Sequence, residues 1–375
     1  MRRFFFLLLA VLLVPCAAFA EDLQSGAQEL IASLQLDTLG EAVQECGWFD
    51  GDVRSLLSRL CSGQAVLSGP EFFDRLLSQA AGLFRQSVWR MTRLLIPALL
   101  ASCAEWLREG SGGKAARYAG LLMTMGFLVA DLRDHVQLCQ DGVSRMAGWM
   151  QALFPLMITL LAAVGGTASS AFYQPAVMAA AGSMTTLIEH VTMPLAISVA
   201  MLTMVSGLGT GLKVTRLCRL LRQAANWTLG FGFTVFIGVM SVQGVNAAAL
   251  DGVSIRTAKY AMDHFIPIVG GMFADTVDTL VGCSLVVHNA VGVLGLLLLL
   301  AVLIMPLVRT VLTLFLYRTC AAILQPVSDS PLCRAIGSYA DVFSLLFIIQ
   351  LSVGAMFLLL VAQLITVGNL TVMLR

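Results

Sequence analysis

Apolar residues fill most of this chain in long runs, parted by short polar stretches rather than by polar domains. The runs at 146–166, 171–188, 191–212, 224–250, 290–308 and 342–367 each approach or exceed the length of about 20 residues that a helix needs to cross a bilayer. Two shorter runs, 94–104 and 118–130, predict either a thin hairpin or a pair of helices lying on a membrane surface. Arg318 interrupts 309–327, which therefore predicts a helix along the inner face, followed by a cytoplasmic turn at 329–341. The pattern predicts an all-α, multi-pass membrane protein with roughly six to eight crossings.

The N-terminus departs from this pattern. Residues 1–20 have the three parts of a secretory signal peptide: Arg2 and Arg3, an apolar core, then Ala18-Phe19-Ala20 before Glu21. Cleavage after Ala20 is expected, and it leaves 21–93 as a small helical extracytoplasmic region. Leu56, Leu57 and Leu60, then Phe72, Phe73, Leu76, Leu77, Ala80 and Phe84, recur at helical spacing. Ser68-Gly69-Pro70-Glu71 has the form of a helix start, with proline in the first turn and an acid at the positive end of the dipole. A region this small is marginal as an independent core, so it is expected to pack on the membrane domain at 94–375 or on a partner.

Charge sets the direction of threading. Between two uncharged runs stand Lys213, Arg216, Arg219 and Arg222, with no acid among them, and a short basic loop of this kind stays cytoplasmic. Steps of three keep these cations on one face of a short helix at the inner surface, where they contact lipid headgroups or an acidic partner. Counting outward from them places 131–145 outside, 251–289 outside and the C-terminus outside. The segment 251–289 reads as irregular. Its charges Asp251, Arg256, Lys259, Asp263, Asp275 and Asp278 are interleaved with Pro267, Gly270, Gly271, Gly282 and Gly292. A charged amphipathic helix followed by a broken or re-entrant element fits such a sequence, and backbone of that kind lines a cavity or is buried in protein. Arg256, Lys259, Pro267, Gly270, Gly271, Asp275, Asp278 and Asn289 are the candidate functional surface.

Composition agrees with a membrane setting and removes most other classes. The chain is 58% hydrophobic and 12% charged, against about 25% charged in soluble domains. Its mean hydropathy is +0.86. A net charge of +1 carries no nucleic-acid signature. Nine cysteines without CxxC spacing give no metal or redox motif, although Cys46 and Cys61, both expected outside, could pair. Phosphate-loop, dinucleotide, zinc-protease, nucleophile-elbow and EF-hand spacings are absent, so no catalytic residue, cofactor or metal is assigned. His135, His190, His264 and His288 each fall near an expected membrane edge; a relay through Asp275, Asp278 and His288 is conceivable, with Asp275 and Asp278 sharing a face if that piece is helical.

From 154 to 368 the chain resembles the stage III sporulation protein AE family. The residues that carry this are Arg219-Leu-Leu-Arg-Gln223 with Trp227, Ser241-Val-Gln-Gly244, Arg256-Thr-Ala-Lys259-Tyr260-Ala261 and Phe265-Ile-Pro-Ile-Val-Gly-Gly271. Asp275 with Asp278, Gly282-Cys-Ser284, Asn289-Ala-Val-Gly292, Tyr317-Arg318 and Gln325-Pro326 follow in order. His288 stands where the family pattern has a lysine. The resemblance implies a non-enzymatic component of a channel, or feeding tube, that joins mother cell and forespore and sustains late forespore gene expression. It implies a place in the mother-cell-derived outer forespore membrane. The implied partners are the other proteins of the stage III A operon (a mother-cell ATPase, small membrane proteins and ring-forming proteins) and, through the rings, forespore protein Q. The competing expectation is a self-contained secondary transporter that uses the break at Pro267–Gly271 with Asp275 and Asp278.

Overall fold

The computed structural model describes residues 21–34, 36–49, 51–64, 66, 69–104, 111–207, 214–265, 270–327 and 331–373. The expected signal peptide, 1–20, lies outside them, as do Lys213 and Pro267. Among the described residues every regular element is helical. The helices are α1 (Glu21–Ser33), α2 (Asp37–Cys46), α3 (Val53–Cys61), α4 (Gly69–Ala104), α5 (Ser111–Ala163), α6 (Thr167–Leu187), α7 (Met193–Gly207), α8 (Thr215–Phe265), α9 (Gly270–Leu324) and α10 (Pro331–Met373). One π turn, Ile188–Thr192, joins α6 to α7 without a break.

Among the described residues five helices are long and apolar enough to cross a membrane: Tyr118–Ala163, Ser169–Ser206, Thr215–Gln243, Val277–Leu324 and Leu332–Met373. That is fewer than the pattern of runs predicts, and each merger has a local cause. The stretch 131–145 is part of α5, because its apolar residues continue a buried stripe: Leu128, Leu132, His135, Cys139, Val143, Met146 and Met150 recur every three or four positions. Its charged residues Arg133, Asp134, Asp141 and Arg145 fall between them off the buried stripe. Averaged hydropathy sees a polar loop where periodicity shows one amphipathic helix.

The runs 171–188 and 191–212 join in the same way. Pro194 has no N–H for the carbonyl four residues back and would clash with it in a regular α-helix. The π turn just before it takes up the misfit, and Glu189 and His190 remain exposed on a continuous helix. Arg318 does not interrupt α9 either. Thr310, Thr313, Leu316, Tyr317, Cys320 and Leu324 form the buried stripe, and Arg318 faces outward. The segment read as irregular, 251–289, is helical at 251–265 and again at 270–289.

The antiparallel pair α9 and α10 makes the largest interface and divides the bundle. Helices α4 and α5 pack on α9, whereas α7 and α8 pack on α10. Backbone approach along the central pair depends on missing side chains. A Cβ at Gly354 would collide with Leu303, one at Gly292 with Ile365, and one at Gly295 with Leu153 of α5. At the far end Gly368 makes room for His288, whose Cε1 would lie 2.7 Å from an added Cβ.

The N-terminal helices form no separate body. Their buried residues Ala27, Ile31, Leu39, Val43, Val53 and Leu57 belong to one cluster continuous with the bundle. They lie along α9, where a Cβ at Gly26 would sit 2.7 Å from the Cys283 sulfur. Arg75 donates to the Trp48 carbonyl at 2.8 Å and ties α4 to the α2–α3 turn. Cys46 and Cys61 are both free thiols. Burial pushes each up to about 11 from 9.0.

Two predictions follow from this packing. Both thiols stay protonated in the folded state, so at pH 7.5 iodoacetamide labels Cys46 and Cys61 only after denaturation. The raised thiols contribute stability that is complete below pH 9 and is lost as pH rises through about 11, read as a falling unfolding temperature in that window. Glycine substitutions should split by site. Gly230→Ala, with nothing near its Cβ, gains up to ~1 kcal/mol of helix propensity. Gly354→Ala, wedged on Leu303, loses ~1–3 kcal/mol by overpacking, so the two shift the unfolding temperature in opposite directions.

Candidate functional site, a polar cluster at one end of the central helix pair

Ionisable groups inside a membrane bundle mark functional positions, because an uncompensated charge there is costly. Such a group of residues stands where α4, α5, α9 and α10 meet. Tyr317 donates its phenolic proton to the Asp131 carboxylate at 2.8 Å, and Arg90 approaches the other carboxylate oxygen at 3.9 Å. One turn along α5, the His135 ring bridges two helices. Its Nδ1 lies 2.8 Å from the Asp131 carbonyl and its Nε2 lies 2.9 Å from the Thr313 hydroxyl. A carbonyl only accepts, so Nδ1 carries a proton; Nε2 of the neutral ring then accepts from Thr313. The Thr313 hydroxyl has a second acceptor in the Arg309 carbonyl at 3.0 Å, so its proton has two resting places.

Aromatic rings close the site. Tyr317 stacks on Phe343 at 4.9 Å between centroids, His135 meets the same ring edge-on at 4.9 Å, and Tyr339 packs against both Tyr317 and Phe343 at 5.8 Å. Tyr339 donates to the Leu128 carbonyl at 3.3 Å, one turn from Asp131. Deeper along the pair, Thr310 donates to the Gln350 side chain at 3.0 Å. The same α5 stripe that buries Leu128 and Leu132 thus delivers Asp131 and His135 to α9.

The basic helix meets the bundle at this same end. Arg222 forms an ion pair with Asp341 at 2.8 Å, and Arg318 stands 4.0 Å from the other oxygen of that carboxylate. Arg318 directly follows Tyr317, the donor to Asp131, so Asp131 and Arg222 share one end of the molecule. The sequence expectation put them on opposite sides. Its parity count assumed two crossings between 171 and 212, where the structure has one continuous helix. Arg216 and Arg219 are exposed on α8, as expected for surface cations.

Of the candidate surface taken from 251–289, Pro267 lies outside the described residues and the others fall on two helices. Arg256 and Lys259 belong to the last turns of α8, and Gly270 and Gly271 open α9. Asp275 lies in its early turns, and Asp278 is exposed. Asn289 is three turns further on, about 16 Å along the axis, where its amide donates to Asn369 at 3.0 Å. His288 beside it is buried, and Tyr173 donates to Gln363 at 3.0 Å on α10. His288 is also about 15 Å along the axis from Asp278, too far for a direct contact in the relay through Asp275, Asp278 and His288 that the sequence made conceivable. Asp131, His135, Thr313 and Tyr339 were missed as a group. The usable signal was the run of polar residues on the apolar stripe of 128–146, together with Tyr317-Arg318 inside an apolar run.

A family model described as stage III sporulation protein AE matches residues 51–368. Stage III sporulation protein AE of Bacillus subtilis (strain 168) is 30% identical over 399 aligned positions, covering 100% of both chains. No solved structure gives a significant match.

Two measurements separate the strong contact from the weak one. Tyr317→Phe removes a buried hydrogen bond to a charged acceptor and should cost ~1.5–3 kcal/mol. In a double-mutant cycle Arg222→Gln with Asp341→Asn should couple by only ~0.2–1 kcal/mol, because that pair is partly exposed. Thermal unfolding of the purified protein in one detergent reads both.

Proposed function

The chain belongs to the stage III sporulation protein AE family, and we propose that in sporulation it is a non-enzymatic, multi-pass component of the channel between mother cell and forespore. Membership makes it a sporulation protein, and the five apolar helices make it a membrane protein. The channel, the outer forespore membrane and the partners go beyond those facts. They rest on the family resemblance, which brings in the operon's ATPase, small membrane proteins and ring-forming proteins, and forespore protein Q through the rings.

The observation that carries a scaffold over a self-contained carrier is the dry seam between α9 and α10. A secondary transporter binds its substrate near mid-membrane, where interrupted helices expose backbone. Here the polar contacts within the pair, Thr310–Gln350 and Asn289–Asn369, stand about 31 Å apart along α9. Between Thr310–Gln350 and Asn289–Asn369 the facing residues are Val291, Leu294, Leu298 and Leu303 on α9, against Val353, Met356, Phe357, Leu360 and Leu364 on α10. Glycine contacts at 292 and 354 close the backbones on each other. Such packing supports a rigid wall, with any conduit formed between subunits or with partners rather than along this pair.

A functional fluorescent fusion in a sporulating host tests the reading. The label should concentrate in the membrane around the forespore and disperse when the partner operon is deleted; uniform labelling of growing cells would sink the proposal. Spore counts then separate scaffold from carrier. Asp275→Asn and Asp278→Asn should leave spore formation near normal, whereas deleting 21–93 or neutralising Arg216, Arg219 and Arg222 together should abolish it. Loss of sporulation in the aspartate variants, with the protein still at the membrane, would favour the carrier.

A further inference from the structure

Beside the polar cluster, between the N-terminal helices and the bundle, lies a cavity of about 580 Å³. Its size is that of a site for a small organic molecule. Four segments build it: the α2–α3 turn with Trp48, α4 at 79–86, α5 at 138–149 and α9 at 301–309. Two guanidiniums, Arg145 and Arg309, line it, with Asp141 as the one carboxylate.

Neither guanidinium is held by an acid among the described residues. Arg90 faces Asp131 and Arg222 holds Asp341, but among the described residues no carboxylate comes within 4.0 Å of Arg145 or Arg309. Arg309 is half-buried in the most apolar helix of the chain, where a cation needs a counter-charge. Asp131 and Asp134 are in its electrostatic surroundings, but so is Arg90, and Asp131 already takes the Tyr317 proton. Two guanidiniums against Asp141 leave one net positive charge on the cavity wall, the complement of a single phosphodiester.

The remaining lining fits the rest of an amphiphile. The Trp48 and Trp149 indoles present flat apolar faces with a polar edge, the chemistry of residues at a headgroup boundary. Pro306 has no N–H, so the Val302 carbonyl loses its helical donor; both residues line the cavity, and that oxygen can accept from a hydroxyl. Leu83, Leu138 and Met305 add an apolar wall that a free inorganic ion would leave uncovered.

We propose that this cavity binds a phosphate-bearing anion, with its phosphoryl oxygens between Arg145 and Arg309, and that the source is the headgroup of an anionic phospholipid. Planar guanidiniums suit that role, since each offers two parallel donors to a phosphate. A lipid held there ties the N-terminal helices to α4, α5 and α9 at once.

The test uses the full-length protein, purified in mild detergent and exposed to vesicles of either phosphatidylglycerol or phosphatidylcholine. Bound lipid is counted by native mass spectrometry. Wild type should retain phosphatidylglycerol in preference to phosphatidylcholine. Arg145→Gln combined with Arg309→Gln should weaken retention by about tenfold or more for the loss of charge-assisted bonds. Met305→Trp, which fills the cavity and keeps both cations, should do the same and decides the matter if the double variant does not fold. Displacement of the lipid by inorganic phosphate at equal concentration, in wild type only, would keep the site and make free phosphate its source. Equal retention of the two lipids, or unchanged phosphatidylglycerol retention in a folded Met305→Trp protein, would overturn the proposal.

Discussion

Close approach of two antiparallel helices is the constraint on which the rest of this bundle depends. Within a membrane the hydrophobic effect does not drive helices together, so association relies on packing and on the few polar contacts available. Along α9 and α10 the packing is achieved by removing side chains at Gly292 and Gly354, where Ile365 and Leu303 lie in the space a Cβ would take. The two faces of that pair then receive everything else. Gly295 lets α5 approach α9 through Leu153, and the N-terminal helices cover α9 from Cys283 to Leu299. Helices α7 and α8 complete the side of α10.

Polar groups are placed at the ends of this seam rather than along it. At one end Asp131, His135, Thr313, Tyr317 and Tyr339 bind α5 to α9 and α10 with directional bonds, which fix the rotation of each helix more sharply than dispersion contacts can. At the other end Asn289 and Asn369 join the same two helices, with Tyr173 and Gln363 linking α6 to α10. Between the ends the pair is apolar and tightly filled. That arrangement suits an element that holds its shape, a rigid core for a membrane protein of a sporulation family.

The basic helix illustrates how local charge and global packing combine. Arg216 and Arg219 remain free to meet headgroups or an acidic surface, whereas Arg222 turns inward to Asp341. One cation in this group therefore anchors α8 to the start of α10, and the others keep the character of a membrane-edge cluster. Arg309 and Arg145 are in a different situation: they face a cavity whose lining holds Asp141, and among the described residues no carboxylate comes within 4.0 Å of either.

Much of this was legible before any coordinates. Long apolar runs required an all-α membrane protein, the ordered words from Arg219 to Pro326 pointed to the family, and the weak core of 21–93 implied packing on the bundle or on a partner; its buried residues join the bundle's cluster. Where helices end was not legible, because a hydropathy average cannot distinguish a polar loop from the outer face of an amphipathic helix. So 131–145 passed for a loop, Glu189-His190 for a turn and Arg318 for a break. Three-residue and four-residue spacing decides such cases, but only with a partner helix to say which face is buried. The polar cluster was illegible for the same reason: Asp131 and Tyr317 are 186 positions apart, and no local pattern couples them. The chemistry of each helix and its tendency to enter a membrane were determined by the sequence alone. The rotation and register of α5 against α9 and α10, set by glycine contacts that only exist between helices, decided which polar residues meet and therefore where the candidate sites lie.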